Sequence, residues 1–187
     1  MQINNELEYK LMLTKKQFQN ITLTYHANHD YTQTNYYFTH PYLQKHHYML
    51  RVRHKENTYE MTLKTPHQNY QKEYNLMISL DDFNKLKNHQ PLDNEIIQIL
   101  KPHLDPTTLN QQFSLTTHRY DYILEHGILS LDHNTYCNQE DYELEFEVND
   151  PIKGYKQFKD ILQTFQLTYQ KNNDSKIVRA LKAYKNL

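Results

Sequence analysis

Three short stretches alternate charge with bulk, and their charges are complementary: Glu6-Leu7-Glu8-Tyr9-Lys10, Leu50-Arg51-Val52-Arg53 and Glu143-Leu144-Glu145-Phe146-Glu147. A β-strand sends successive side chains to opposite faces, so each stretch gathers its charges on one face. If those faces meet, carboxylates line one side of a site and guanidinium and ammonium groups the other. Carboxylates hold divalent cations, and Arg and Lys hold phosphate oxygens. That combination suits a polyphosphate carried with a metal ion.

The 187 residues are most simply one domain, 1–187. Such a chain buries roughly 70% of its extended surface. A mean hydropathy of −0.96 looks too polar for a globule, but 17 Tyr supply apolar area that the scale undercounts. A formal charge of −1 gives no global field toward nucleic acid or anionic lipid. Basic patches interleaved with aromatics are missing, so no nucleic-acid partner is expected. The single cysteine, Cys137, excludes an internal disulfide and a CxxC zinc site. The 12 His are scattered, without HxxxH or HExxH spacing. No apolar run approaches the ~18 residues of a membrane span, and the N-terminus lacks a signal-peptide pattern. Cytoplasmic residence is therefore expected. Monomer and homodimer both stay open.

Residues 3–13 alternate as a strand, with a helix capped by Asn5 as the rival reading. Residues 14–25 read as a helix capped by Thr14. Strands are expected at 34–39, 47–54, 58–65 and 71–78, with Lys55-Glu56-Asn57 as a hairpin loop and Pro66 as a strand end. Helices follow at 81–88 and across 91–104. Strand pattern resumes at 113–122, turns at His126-Gly127, and continues at 128–136 and 141–148. Pro151 and Gly154 mark the exit to helices at 155–168 and 176–184. The expected class is α+β: eight antiparallel strands, closable into a barrel, with flanking helices. The apolar faces would look outward to the helices and the interior would be charged.

An ordinary half-exposed sheet is the plainer reading of any one strand. Together the strands weaken it. Glu6, Glu8, Lys10, Arg51, Arg53, Glu60, Lys64, Glu73, Arg119, Asp132, Glu143, Glu145 and Glu147 concentrate charge where a solvated face would mix in Ser, Thr and Asn. Same-face glutamates ~6–7 Å apart repel one another unless cations offset them. A ligand explains that arrangement better.

The ordered pieces resemble a known family. ExExK at Glu6–Lys10, Asn35-Tyr36-Tyr37-Phe38, Leu50-Arg51-Val52-Arg53, Thr62-Leu63-Lys64, Arg119, Leu131 to Tyr136, Asp141 to Glu145 and Lys176 to Leu181 are similar to the CYTH superfamily, the triphosphate tunnel metalloenzymes. The likeness is greatest to its YjbK-type bacterial branch. The resemblance implies a closed eight-stranded antiparallel barrel forming a triphosphate tunnel. It implies hydrolysis of an inorganic or organic triphosphate with Mg²⁺ or Mn²⁺. By motif, Lys10, Arg51, Arg53, Lys64, Arg119, Lys176 and Arg179 would bind phosphates. Glu6, Glu8, Asp132, Glu143 and Glu145 would stand on the metal side, and Glu73 matches a tunnel acid less securely. Lys10 with Tyr36, or Tyr37 in its place, would assist proton transfer. One departure stands out: Thr39-His40 replaces the family's Asp-Thr. A class IV type adenylate cyclase, or a binding module that senses polyphosphate or a nucleotide without turnover, are the alternatives.

Overall fold

The computed structural model describes residues 7–67, 70–170 and 174–187. In chain order the elements are β1 (Leu7–Leu13), α1 (Lys15–Thr24), β2 (His29–Thr39), α2 (Pro41–Lys45), β3 (Met49–Lys55), β4 (Thr58–His67), β5 (Tyr70–Ile78), α3 (Leu80–Lys87), α4 (Glu95–Leu100), β6 (Asn110–Leu124), β7 (Gly127–Tyr136), β8 (Gln139–Val148), α5 (Pro151–Thr164) and α6 (Lys176–Tyr184). The strands form one eight-stranded sheet in the order β1-β8-β7-β6-β2-β3-β4-β5. Its ladders β1–β8, β2–β3, β3–β4, β4–β5, β6–β7 and β7–β8 are antiparallel. β1 and β5 end the sheet order. No described helix is long and apolar enough to cross a membrane.

The chain divides into two compact units. One is Gln33–Leu115; the other holds the described residues up to Thr32 together with Thr116–Leu187. Each unit builds its core from period-2 alternation against helical faces. In the first, Phe38, Leu50, Val52, Met61 and Leu63 pack with Phe83 and Leu86 of α3 and Ile96, Ile97 and Leu100 of α4. In the second, Leu11, Leu13, Leu129, Leu131, Tyr142, Leu144 and Phe146 pack with Phe18 and Ile21 of α1 and Phe158 and Ile161 of α5. Fully burying each such side chain contributes about 1.5–3 kcal/mol. Committing the odd β8 positions 141–147 to the opposite face follows from period 2 alone.

Local chemistry sets the element ends, and several differ from expectation. Residues 7–13 are a strand because β8 pairs with them along their whole length. The Asn5 cap lies outside the described residues. α1 begins with a capping box, Thr14 accepting from the Gln17 amide while the Gln17 side chain accepts from the Thr14 amide. The sequence reading placed no helix at 41–45. There His40 Nδ1 accepts from the Tyr42 amide at 3.0 Å and Pro41 occupies the first turn. The Thr39-His40 departure thus starts a helix. Pro66 does not end β4, which runs to His67. The β3 ladder stops at Met49↔Lys64, so past Lys64 a missing N–H removes no β3 bond. α4 is shorter than 91–104: Asn94 accepts from the Ile97 amide at its start, and Pro102 follows its end. α5 begins at Pro151, where Asp150 Oδ1 accepts from the amides of Ile152 and Lys153. Gly127 sits where a Cβ would lie 2.1 Å from the Glu147 carbonyl oxygen, so close approach excludes any other residue.

Candidate functional site

In the second unit, four strands bring their polar positions to one face. Lys10 stands opposite Glu145, and Met12 opposite Glu143. Ser130, Asp132 and Asn134 stand opposite Glu145, Glu143 and Asp141. Arg119 stands opposite Asp132, and Thr117 opposite Asn134. Side chains of α6 complete the group.

Arg119 grips Asp132 with two bonds, Nε–Oδ1 and Nη2–Oδ2, each 2.7 Å, and donates from Nη2 to Glu145 Oε2 at 2.5 Å. Lys176 Nζ bonds Asp132, lies 3.0 Å from Glu145 Oε1, and is 3.8 Å from Glu143 Oε2. Lys10 Nζ bridges Glu8 at 2.9 Å and Glu145 at 3.1 Å. Arg179 reaches Glu143 Oε2 at 2.8 Å and Asp141 Oδ2 at 2.7 Å.

Asp132 and Glu143 have no solvent exposure at all. Burying carboxylates costs several kcal/mol each, and ion pairs repay this only when hydrogen bonding is complete. Apolar residues of similar volume would serve stability as well or better. A buried charge row on an otherwise apolar-cored sheet therefore points to a ligand. Burial pushes the Glu143 carboxyl up, even with Lys176 and Arg179 close by. For Glu145 burial pulls the same way, but Lys176, Arg119 and Lys10 outweigh it and hold the carboxyl well below its usual range. Lys176 is also buried, which opposes its charge; Asp132 and Glu145 reverse that and keep it protonated.

In the first unit, β3 turns Arg51 and Arg53 to the face that also carries Tyr37 and Asn35 of β2, Glu60, Thr62 and Lys64 of β4, and Glu73 and Asn75 of β5. Arg53 Nε donates to Asn35 Oδ1 at 3.1 Å. Lys64 pairs with Glu73, its cross-strand neighbour. Thr62 donates to Asn75 at 2.8 Å. Arg51 Nε is buried and has no hydrogen-bond partner among the described residues. An orphaned buried donor costs about 1–3 kcal/mol.

The sequence-derived residues fall out as follows. Lys10, Glu8, Arg119, Asp132, Glu143, Glu145, Lys176 and Arg179 share one ion-paired network in the second unit. Arg51, Arg53 and Lys64 share one face of the first. Glu6 lies outside the described residues. Tyr36 falls on the opposite, apolar face, with its ring 4.8 Å from that of Phe83, whereas its alternative Tyr37 stands opposite Arg51. Period-2 alternation from Arg51 and Arg53 through the β2 register is the signal that separates the two. Asp141, Tyr136 and Asn134 went unassigned in the sequence, although Asp141 belongs to the same-face series Asp141, Glu143, Glu145.

Among the described residues, no three acids, histidines or cysteines are grouped as a ready metal site. The donor chemistry nonetheless fits a hard cation: Asp132, Glu143 and Glu145 all turn an oxygen to one ammonium.

An eight-stranded antiparallel sheet whose units each turn acids and bases to one face, with helices on the apolar side, defines the class. The chain belongs to the CYTH domain family, whose model matches residues 4–181. It is 35% identical to YjbK of Bacillus subtilis, provisionally named a triphosphatase, over 192 residues covering 93% of each protein. A Bacillus halodurans crystal structure, provisionally named an adenylate cyclase, is 31% identical with a TM-score of 0.75, covering 93% of this chain and 96% of that one. The Hippeastrum protein HpAC1, described as having a dominant triphosphatase activity, shares the fold at 20% identity and a TM-score of 0.74, over 95% of each chain.

Proposed function

We propose that the chain is a single CYTH domain that hydrolyses a small-molecule triphosphate with the help of Mg²⁺ or Mn²⁺. In this reading the eight-stranded sheet is the triphosphate-binding barrel that the family resemblance implies. The observation that carries the reading is Arg51: a buried guanidinium donor without an acceptor among the described residues, on a face shared with Arg53 and Lys64, is what a phosphate oxygen would complete. The buried acid row and the YjbK relationship support it.

Arg51, Arg53, Lys64 and Lys10 bind and orient the phosphate chain, bringing the scissile phosphorus in line with an attacking water. Asp132, Glu143 and Glu145, with Glu6 and Glu8, would hold the metal ion. When bound, the ion neutralises phosphoryl charge and favours attack by water. Lys10, kept protonated by Glu145 and Glu8 against the opposing effect of burial, supplies positive charge near the reacting group. Tyr37, opposite Arg51 on the charged face, would take the role that the resemblance gave to Tyr36.

Incubation with tripolyphosphate or ATP and either metal, followed by ³¹P NMR, tests the reading. Orthophosphate and diphosphate from tripolyphosphate support it. Cyclic AMP from ATP, without orthophosphate, supports the cyclase reading instead, which the name of the Bacillus halodurans relative favours. Tight binding with no product supports a sensing module.

A further inference from the structure

Most of the donors of Arg179, a proposed phosphate contact, are already spent. Nε gives to Asp141 Oδ2 at 2.7 Å, Nη2 to Glu143 Oε2 at 2.8 Å and to Asp141 Oδ1 at 3.3 Å, and Nη1 to the Asp174 carbonyl at 2.9 Å. That uses four of five N–H groups. Arg51 presents the opposite condition, with a donor left open.

Asp141 is equally committed. Besides Arg179, its Oδ2 accepts from the Tyr136 hydroxyl at 2.5 Å and its Oδ1 from Asn134 Nδ2 at 2.9 Å. Asn134 Oδ1 in turn accepts from Thr117 at 2.6 Å. All four lone-pair sites of the Asp141 carboxylate are therefore occupied, which leaves it no capacity for a metal ion. A continuous chain of bonds runs from β6 through β7 and β8 to α6.

The helix it reaches needs such support. Ser175 stands at the N-cap of α6 without making a side-chain cap bond. Arg179 instead reaches back to the Asp174 carbonyl, and Lys182 pairs with the Asp174 carboxylate at 2.7 Å. Lys176 and Arg179 are three residues apart, so they share one face of α6. Fixing Arg179 fixes where Lys176 can put its ammonium.

Resting on the functional reading above, we infer that Asp141, buttressed by Tyr136 and Asn134, is a positioning residue. It clamps Arg179 as a strut that holds α6 and aims Lys176 at the acid row, and Arg179 does not itself contact phosphate.

The two roles for Arg179 predict opposite signs. If Arg179 binds phosphate, Asp141→Asn frees it and removes a negative charge, so tripolyphosphate binds more tightly. If Arg179 is a strut, the same change loosens α6 and weakens binding. Tripolyphosphate affinity by calorimetry, and amide hydrogen exchange across the full chain, decide between them. We expect Asp141→Asn to weaken tripolyphosphate about tenfold and to speed exchange of the Ala180 and Leu181 amides about tenfold, with α5 and β7 unchanged. Asp141→Glu should restore most of both, and Tyr136→Phe should shift both in the same direction by less, which keeps the test decisive if Asp141→Asn folds poorly. Tighter tripolyphosphate binding, or α6 exchange that does not change, overturns the inference. If the unaltered protein ignores tripolyphosphate the functional reading fails, and the exchange rates alone still decide the strut.

Discussion

Lys176 Nζ lies 3.0 Å from Glu145 Oε1 and bonds Asp132 as well, so a side chain of the protein occupies oxygens of the acid row proposed above to hold a metal ion. A compact ammonium is a fair stand-in for a hard cation, with one charge in place of two. The ion and the lysine cannot both occupy those oxygens.

Removing the competitor should therefore tighten metal binding in the absence of substrate. Lys176→Met is expected to raise Mn²⁺ affinity by about five- to tenfold, read by electron paramagnetic resonance of free Mn²⁺. The same variant should bind tripolyphosphate more weakly, since it lacks a phosphate contact. Unchanged or weaker Mn²⁺ binding would show that Lys176 does not shield the acids.

Arg51 should separate stability from ligand binding. Its buried Nε lacks an acceptor among the described residues, so Arg51→Met is expected to leave the urea midpoint unchanged or raise it. Tripolyphosphate affinity should fall by about 10- to 100-fold in the same variant. A large loss of stability would mean that the guanidinium serves the fold.

Much of this arrangement was legible as alternation. β1, β3 and β8 each put charge on one face and bulk on the other because the strand repeat is two, and both charged faces followed from that. The resemblance ordered the same motifs along the chain. What escaped was set by unusual local caps and by side chains acting across elements. α2 depends on His40 capping ahead of Pro41, a rarer cap than Ser or Asp. The start of α5 depends on Asp150, hidden because Pro151 reads as a breaker where it is in fact a first-turn residue. Tyr36 and Tyr37 are adjacent aromatics, and only the register against β3 tells their faces apart. Asp141 carries the same alternation as Glu143, but its partners lie on β7 and α6, beyond any local pattern.

Gly154 tests the contact of α5 with the sheet. A Cβ there would lie 2.6 Å from Val148 Cβ on β8. Gly154→Ala, despite its better helix propensity, should destabilise the protein by about 1–3 kcal/mol in urea unfolding. A stabilised variant would mean that α5 has room to move.

Acid stability should depend on Glu140. Its hydrogen bond from His133, then those involving Lys15 and Tyr142, hold its carboxyl at about 2, below the 4.5 of a free glutamate. A carboxyl lowered by folding stabilises above its unfolded value, and that stability disappears as pH falls through the folded one. Between about pH 4.5 and 2, Glu140→Gln should thus lose less stability than the unaltered protein. Parallel acid limbs in the two urea series would contradict the pairing.

The most direct measurement is phosphate release from tripolyphosphate, with Mg²⁺ and with Mn²⁺, by the unaltered protein, Glu145→Gln and Arg53→Ala. Steady release is expected that requires the metal and falls at least about 100-fold in both variants, one from the acid row and one from the basic face. Release that survives both substitutions, or that proceeds equally well in a chelator, would contradict it.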